Sequence, residues 1–280
     1  MSLTSFLKKN ADVRQRFKVE FQMPSLDITR ELAAPPLTEN YSMVGTAFDY
    51  LLRFYIERLN PKAVTRKWVA EEALFGDEGL DDVLFYPRKF KDLVAKANVD
   101  YNRYLLNGVM CSSLLRSVLC LAQLEVFYRR DVDDSYFAKV GKVDRKDFQD
   151  LRRLISLVQS KVFRAKKACV LNPTFGRASE LVGGADCDLV IDDTLIEIKT
   201  TKHFEVKREY FDQLVGYYTL FKIGGIKGLP KAHSIKRLGI YFSRHGCLWL
   251  VKIGGFVKRN QFSKFIAWFK KRAKEEFLFA

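Results

Sequence analysis

The sequence predicts an α/β protein whose first part is largely helical and whose second part is a mixed sheet with helices on its faces. Amphipathic stretches at helical spacing dominate residues 1–160, and short runs of strand-forming residues begin only after them. Helical stretches separate and follow these runs, which is typical of a sheet covered by helices. The predicted division is a mainly helical region, 1–160, and a sheet-containing core, 161–280. We expect the helices to pack beside the sheet. A separate lobe stays open, because no linker-like stretch decides between the two.

Short helices and then four long ones are expected in the first part. An extended stretch containing Pro24, Pro35 and Pro36 separates them. Asp144 and Asp147 place acidic groups at the start of the last helix, where they complement the helix dipole. The expected segments lie near 2–19, 42–59, 88–107, 111–130 and 144–165.

The second part alternates strand and helix patterns. The terminal helix carries an aromatic stripe at helical spacing, which we expect to face the core. The stripe comprises Phe262, Phe265, Trp268 and Phe269. Strands are expected near 167–172, 185–191, 195–200, 238–243 and 247–253, with a helix at 207–222.

A tight hairpin is predicted within residues 183–202. Strand-forming residues precede and follow Asp192-Asp193, a pair typical of turns. If these two residues form the turn, Ile191 faces Thr194, and the pairs continue outward from there. A four-residue turn would keep this register, whereas a turn of odd length would break it.

This register places four polar side chains on one face of the hairpin. Asp188 lies opposite Glu197 and Asp186 lies opposite Lys199, with opposed Cβ atoms about 4.5–5.5 Å apart. Carboxylates this close repel each other unless a cation neutralises them, and Mg²⁺ binds one or two protein carboxylates while keeping several waters. The alternative is an ordinary hairpin with a solvated charged face. The Gly-Gly pair at 183–184 and the register of the acids and the lysine favour a site.

These residues resemble the motif of the PD-(D/E)XK nuclease superfamily, in which an Asp and an (Asp/Glu)-X-Lys element lie on adjacent strands. Glu197 and Lys199 match the second element. The upstream acid is either Asp188, which precedes an apolar run and faces Glu197, or Asp186, which fits a Gly-X-Asp variant; we favour Asp188. The resemblance implies a restriction-endonuclease-like fold. It also implies a metal site formed by Asp188, Glu197 and the main-chain carbonyl of Ile198, with Asp186 as a further ligand.

A second match lies in the helix predicted at 207–222. Gln213 and Tyr217 are one turn apart and share a face. Their spacing resembles the Gln-X-X-X-Tyr element of the RecB-like branch, including lambda-type exonucleases, in which both residues lie beside the active site and contact DNA. The resemblance implies these roles for Gln213 and Tyr217. We also expect Lys202 and Lys207, just before this helix and at its start, to contact nucleic acid.

A weaker match lies at the start of the helix predicted at 42–59. RecB-like nucleases often begin with a helix carrying Gly-X-X-X-His, whose His joins the metal site. Here Gly45 is followed by Asp49 at the His position. Asp49 is either a substitute carboxylate or a solvated helical residue, and we favour the second.

The resemblance implies hydrolysis of phosphodiester bonds with Mg²⁺ or Mn²⁺. Such an ion polarises the phosphate and lowers the pKa of a bound water, so that a nucleophile forms at neutral pH. Lys199 would position that water or stabilise charge on the phosphate. A base role would require its pKa, near 10.4 in a free side chain, to be lowered, and cationic neighbours favour that direction. The sequence leaves these roles open.

The composition favours nucleic acid as the partner. The net charge is +15 and the pI is about 9.5, as expected of a protein that binds phosphates. DNA is the expected partner, with RNA as an open alternative. No apolar run is long enough for a transmembrane helix, so no membrane partner is expected.

The cysteines and the amino terminus indicate an intracellular, cytoplasmic protein. Five cysteines, odd in number and scattered, fit a reducing compartment, and the first residues lack the order of a signal peptide. Some RecB-like nucleases carry an iron–sulfur cluster bound by cysteines that include a close group after the core. Only Cys247 follows the motif here, so no cluster is expected.

The leading hypothesis is a metal-dependent deoxyribonuclease of RecB-like type, an exonuclease among the options, acting in repair, recombination, phage biology or defence. One alternative is a nucleic-acid-binding or assembly subunit of the same fold with a decayed site. Another is a basic helical interaction protein whose hairpin matches by chance. An oligomer is compatible with the leading hypothesis, since some lambda-type relatives form rings.

Overall fold

A computed structural model of the chain describes residues 2–26, 28–75, 88–129 and 134–278. The helices of the amino-terminal region are α1 (Leu3–Lys9), α2 (Ala11–Glu20), α3 (Tyr41–Leu59), α4 (Val69–Phe75), α5 (Arg88–Asn107), α6 (Ser112–Arg129), α7 (Asp134–Lys139), α8 (Arg145–Ser156) and α9 (Ser160–Phe163). The remaining elements are β1 (Cys169–Leu171), α10 (Arg177–Glu180), β2 (Leu189–Ile191), β3 (Thr194–Lys199), α11 (Arg208–Gly224), β4 (Arg237–Phe242), β5 (Cys247–Lys252) and α12 (Arg259–Leu278).

The long helices follow the predicted segments, with one exception. α3, α5 and α6 begin and end within one residue of expectation, and the last residue of the segment predicted at 111–130 lies outside the described residues. A single helix at 144–165 is wrong, because α8 ends at Ser156 and α9 is a separate short helix. The N–H of Leu157 donates to the carbonyls of Leu154 and Ile155, a tightened end that stops the α-helical ladder. α4 and α7 were not predicted, since so short a helix produces little amphipathic pattern.

The five strands form one mixed sheet in the order β1-β2-β3-β4-β5. β3 and β4 are parallel, and the other neighbouring pairs are antiparallel. α11 connects the parallel pair, because a parallel crossover needs a connection long enough to return along the sheet. Every strand overlaps a predicted run, although β1 and β2 have only three residues each. The prediction of an α/β fold with a mixed sheet and a largely helical amino-terminal part is confirmed.

The predicted hairpin has the predicted register over the three pairs nearest its turn, but Asp186 pairs with Thr174 instead of Lys199. Ile191 pairs with Thr194, which makes Asp192-Asp193 a two-residue turn. Asp192 has a φ of 53°, a left-handed conformation that such turns need and that Asp tolerates.

Two hydrophobic clusters cover the two faces of the sheet. Because side chains alternate along a strand, Leu195 belongs to the cluster formed with α1, α2, α11 and α12, and Ile196 to the cluster formed with α3, α5, α6 and α8. Phe48 of α3 stacks on Tyr241 of β4 with ring centroids 6.5 Å apart. The long helices α3, α5, α6 and α8 therefore lie against one face of the sheet, with α3 beside the hairpin, whereas α1 and α2 lie on the other face.

The aromatic stripe of α12 faces the core, as predicted. Phe262, Phe265 and Phe269 are buried, and Trp268 is half-buried. Among the described residues, no helix is long and apolar enough to cross a bilayer.

A buried ion pair links the helical region to the sheet. Arg244, in the β4–β5 connection, donates to both carboxylate oxygens of Asp150 on α8 at 2.8 and 2.9 Å. The same guanidinium donates to the carbonyl of Ala34 at 3.0 Å, and the N–H of Ala34 donates to the carbonyl of Arg244. The side chains of Arg244 and Asp150 are 1% and 0% exposed, so both charges depend on each other for solvation.

Candidate active site

A cavity of about 440 Å³ lies where the β2–β3 hairpin meets α3. We refer to it as the carboxylate cavity. Its charged lining comprises the acids Asp49, Glu125, Asp186, Asp188 and Glu197 and the cations Arg53 and Lys199. The cavity is therefore acidic, although the protein as a whole is strongly basic.

The hairpin brings its two central acids together, as its register predicts. Leu189 pairs with Ile196, and Asp188 and Glu197 are the next residues outward on the two sides of the hairpin. The N–H of Ile198 donates to Asp188 Oδ2 at 2.6 Å. This bond fixes one carboxylate oxygen of Asp188 across the hairpin and leaves Oδ1 for another partner.

Four of the predicted residues form one hydrogen-bonded network. Lys199 Nζ donates to Glu197 Oε1 and to Gln213 Oε1, both at 2.9 Å. Gln213 Nε2 donates to the same Glu197 oxygen at 2.9 Å and to the hydroxyl oxygen of Tyr217 at 2.8 Å. The network joins β3 to α11, since Lys199 and Glu197 lie on the strand and the other two on the helix.

The second carboxylate oxygen of Glu197 has no such support. Oε2 is buried and has no hydrogen-bond partner among the described residues. The side chain of Glu197 is only 8% exposed, and the residue lines the carboxylate cavity. A buried carboxylate oxygen without a partner is costly, so this atom marks a place where a cation or a donor would be stabilised.

The pKa values of the two central acids reflect their burial first and the neighbouring negative charges second. Burial raises the pKa of Asp188 well above its usual range, and the charges of Glu197 and Asp49 raise it further. Burial also raises the pKa of Glu197, against the opposing effect of Lys199. The cations of the protein itself therefore neutralise this group of acids incompletely.

Lys199 is held as an ammonium by its neighbours. Burial acts to lower the pKa of Lys199, but the charge of Glu197 and its hydrogen bond outweigh burial, and the pKa is raised. The expected lowering by cationic neighbours stays a prediction for the metal-bound site, and the contacts within the protein act in the opposite direction. The reason is that the nearest charged groups are carboxylates.

Asp49 is not the solvated helical residue expected from the sequence. It lines the carboxylate cavity, and its side chain is 26% exposed. Arg53 Nη2 donates to Asp49 Oδ2 at 2.6 Å, whereas Asp49 Oδ1 is buried without a partner among the described residues. The packing of α3 against the sheet turns Asp49 inward, which the amphipathic pattern of α3 alone did not indicate.

The cavity also contains polar residues that sequence reasoning missed. Arg53 lies over the ring of Tyr50, with Cζ 4.8 Å from its centroid. The hydroxyl of Tyr50 donates to Glu125 Oε2 at 2.8 Å, and Glu125 is buried on α6. Asn172 follows β1 and lines the cavity. An acid within the apolar run of α6 was a usable signal for Glu125.

The other predicted contacts lie at or beyond the rim. Asp186 lines the cavity but is exposed, and Lys202 is exposed in the loop before α11. Nζ of Lys199 and Nζ of Lys207 lie 4.9 and 5.9 Å from the ring centroid of Tyr210. Tyr210 therefore connects Lys207 to the site.

Tyr217 is buried rather than presented at the surface of the cavity. It is 5% exposed and stacks on Phe175 with ring centroids 5.7 Å apart. Its described polar contact is the bond from Gln213, so its place in the site is that of a support for Gln213.

The donor atoms fit a divalent cation of the Mg²⁺ type. Asp188 Oδ1, Glu197 Oε2 and the carbonyl of Ile198 are the candidate ligands, and all three residues line the cavity. Among the described His, Cys, Asp and Glu residues, no group of three or more is arranged to hold an ion by itself. Mg²⁺ commonly takes one or two carboxylates and completes its coordination with water and phosphate oxygens, so two carboxylates suffice.

No protein-family model matches the chain, and no curated protein or solved structure is significantly similar to it. The function is therefore inferred from the cavity and from the motif that its residues resemble.

Proposed function

We propose that this protein is a metal-dependent nuclease that hydrolyses phosphodiester bonds of DNA, with a restriction-endonuclease-like core of RecB-like type. The observation that carries the proposal is that the two carboxylate oxygens of Glu197 have different surroundings. Lys199 and Gln213 hold one of its oxygens, and the other oxygen is buried at the cavity without a partner in the described part of the chain. Beside it, the N–H of Ile198 holds one oxygen of Asp188. Two carboxylates prepared in this way are suited to a divalent cation.

Asp188, Glu197 and the carbonyl of Ile198 would hold Mg²⁺ or Mn²⁺, with Asp186 at the rim as a further oxygen donor. When bound, the ion supplies a polarised phosphate and a water of lowered pKa. The protein contributes fixed oxygens, since the bonds to Ile198 and Gln213 orient both carboxylates before a metal arrives.

Lys199 would contact the substrate, and Gln213 would orient Lys199. The Lys199 ammonium lines the cavity and is 20% exposed, so it can approach a phosphate oxygen and stabilise the charge that develops during cleavage. Gln213 accepts from Lys199 and is anchored by Tyr217, and it therefore sets the direction of the ammonium.

The substrate class follows from charge. A net charge of +15 favours a polyphosphate partner, and Lys202 and Lys207 lie beside the site where a strand would pass. DNA is the proposed substrate, and RNA is the alternative that charge alone does not separate from it.

A nucleic-acid-binding subunit without activity is the second candidate. In RecB-like nucleases a His often joins the metal site at the position of Asp49. Here Asp49 Oδ2 is occupied by Arg53 at 2.6 Å, an ion pair that would compete with metal binding by Asp49. This contact is the observation that supports the second candidate.

Cleavage assays distinguish the two candidates. Linear and circular DNA, single- and double-stranded, would be incubated with the protein in Mg²⁺, Mn²⁺ or EDTA. Metal-dependent degradation is expected, and Lys199→Ala should slow it by about 10²–10³-fold, the usual loss for one charge-stabilising donor. Lys252→Ala, which removes an exposed strand lysine, is the matched control and should cut normally. Sparing of circles would indicate an exonuclease. DNA binding without cleavage in either metal would favour the binding subunit.

A further inference from the structure

A second cavity, of about 510 Å³, has a basic lining. We refer to it as the basic cavity. Lys62, Arg164, Lys166 and Lys167 line it, and all four are exposed. None of the described acidic residues contributes to this lining, so its charge is the opposite of that of the carboxylate cavity.

The acid that contacts the stretch carrying Lys166 and Lys167, Asp192 in the hairpin turn, is already engaged by the backbone. The carboxylate of Asp192 accepts from the N–H groups of Lys166, Lys167 and Ala168 at 2.6 to 3.2 Å. These bonds fix the stretch that carries Lys166 and Lys167, and the positive charge of Lys166 helps to lower the pKa of Asp192. The basic cavity is therefore lined by four cations and by no described acid, and two of these cations lie on a stretch whose backbone Asp192 holds.

The two cavities lie at opposite ends of the same elements. α3 contributes Arg53 to the carboxylate cavity and Leu59 to the basic cavity, about 9 Å further along its axis. β1 begins with Cys169 at the basic cavity, and Asn172, just past its end, lines the carboxylate cavity about 10 Å away. Both estimates place the nearest lining residues of the two cavities roughly 10 Å apart.

One chain segment connects the cavities along the surface. Lys62 and Val64 line the basic cavity, and Val69 lines the carboxylate cavity. Between them, Arg66 and Lys67 are exposed, so the connecting surface is also basic. A phosphate backbone that follows this segment would pass Arg66, which lies 3.9 Å from Glu72, and Lys67 before it reaches the carboxylate cavity.

We propose that the basic cavity binds the phosphate backbone of the same DNA strand that enters the carboxylate cavity. Each strand of B-form DNA has one phosphate for about every 3.4 Å of helix axis, so 10 Å of axis corresponds to about three phosphate steps. The inference rests on the proposed function for the position of the strand, but its test measures binding and does not require cleavage.

The test compares two charge-removing pairs in EDTA, by anisotropy of a labelled 20-nucleotide DNA over a range of salt concentrations. Lys166→Gln with Lys167→Gln alters the basic cavity. Lys264→Gln with Lys270→Gln removes the same charge from exposed positions on α12, which packs on the other face of the sheet. Loss of two phosphate contacts should lower the slope of log K against log salt by about 1.4 for single strands and 1.8 for duplex. In about 0.1 M salt this corresponds to roughly 25- to 60-fold weaker binding for the first pair and little change for the second.

The outcomes separate this inference from the proposed function. Equal losses for both pairs, or no loss for the first, would overturn the role of the basic cavity, as would a wild-type protein that does not bind DNA. If the first pair alone weakens binding but the wild type never cuts DNA, the nuclease proposal fails and this inference stands. If the wild type cuts and the first pair binds normally, only this inference fails. Thermal melts would establish that both variants are folded.

Discussion

Replacing Asp150 by Asn should strongly destabilise the protein, because it leaves the Arg244 guanidinium buried without a counter-ion. The two side chains are 0% and 1% exposed and are joined by two hydrogen bonds of 2.8 and 2.9 Å. Removing one partner of such a pair costs about 3–5 kcal/mol. For proteins of 150–250 residues, 1 kcal/mol shifts the melting temperature by about 2–4 °C, so the expected fall is roughly 6–20 °C.

The assay is thermal and urea unfolding followed by circular dichroism, with Asp193→Asn as the matched control. Asp193 pairs with Arg237 at 2.6 Å, but these side chains are 32% and 41% exposed. Exposed pairs contribute about 0.2–1 kcal/mol, so the control should lose little. The contrast isolates burial, since both changes replace an Asp by the isosteric Asn in an ion pair with Arg.

A loss of 1 kcal/mol or less for Asp150→Asn, equal to that of the control, would refute the reasoning. A double variant tests whether the loss of stability comes from the uncompensated charge of Arg244. Replacing both partners by apolar residues, Asp150→Leu with Arg244→Met, removes the uncompensated charge and should recover part of the stability. Two separate unfolding transitions in Asp150→Asn would indicate that the helical region can unfold apart from the sheet.

Three further outcomes are expected. Gln213→Leu should lower kcat/KM about 10- to 100-fold, because it removes hydrogen bonds to both Lys199 and Glu197. Tyr217→Phe removes one hydrogen bond and should lower kcat/KM only about 5-fold. Steady-state cleavage kinetics would contradict this reasoning if the order of the two losses were reversed. Mg²⁺ or Mn²⁺ at about 100 times its Kd should raise the free energy of unfolding by about 2.7 kcal/mol, and Glu197→Gln should abolish this gain; an equal gain in both proteins, measured by thermal melts, would place the ion elsewhere. Thiol labelling of the native protein should modify only Cys111 and Cys247, since burial shields the other three cysteines and raises their pKa; fast modification of all five before unfolding would contradict the packing.

The parts of the site that were predicted from sequence are those that local periodicity controls. The register of the hairpin follows from a two-residue turn and a side-chain period of two, and Ile191 indeed pairs with Thr194. Gln213 and Tyr217 are one helical turn apart, so their contact needs only the helix itself.

Features that local periodicity does not control were harder to predict from the sequence. Asp49 was expected to be solvated, but the docking of α3 on the sheet places it in the cavity. The direction of the Lys199 pKa depends on which charges surround the ammonium in space, and within the protein these are carboxylates. The break between α8 and α9 was also missed, since the sequence there continues to favour a helix.

By itself, the sequence determined the class of the fold, the hairpin with its two central acids and lysine, the helix that carries Gln213, and a positive charge suited to nucleic acid. Only the tertiary structure decided that Arg53 and Glu125 complete the carboxylate cavity and that Asp150 neutralises Arg244. It also revealed the basic cavity at the other end of the sheet. The physical reason is sequence separation. Periodicity over a few residues determines which side chains share a face. The packing of α3, α6 and α8 against the sheet depends on contacts between two hydrophobic faces, and no local pattern encodes these contacts.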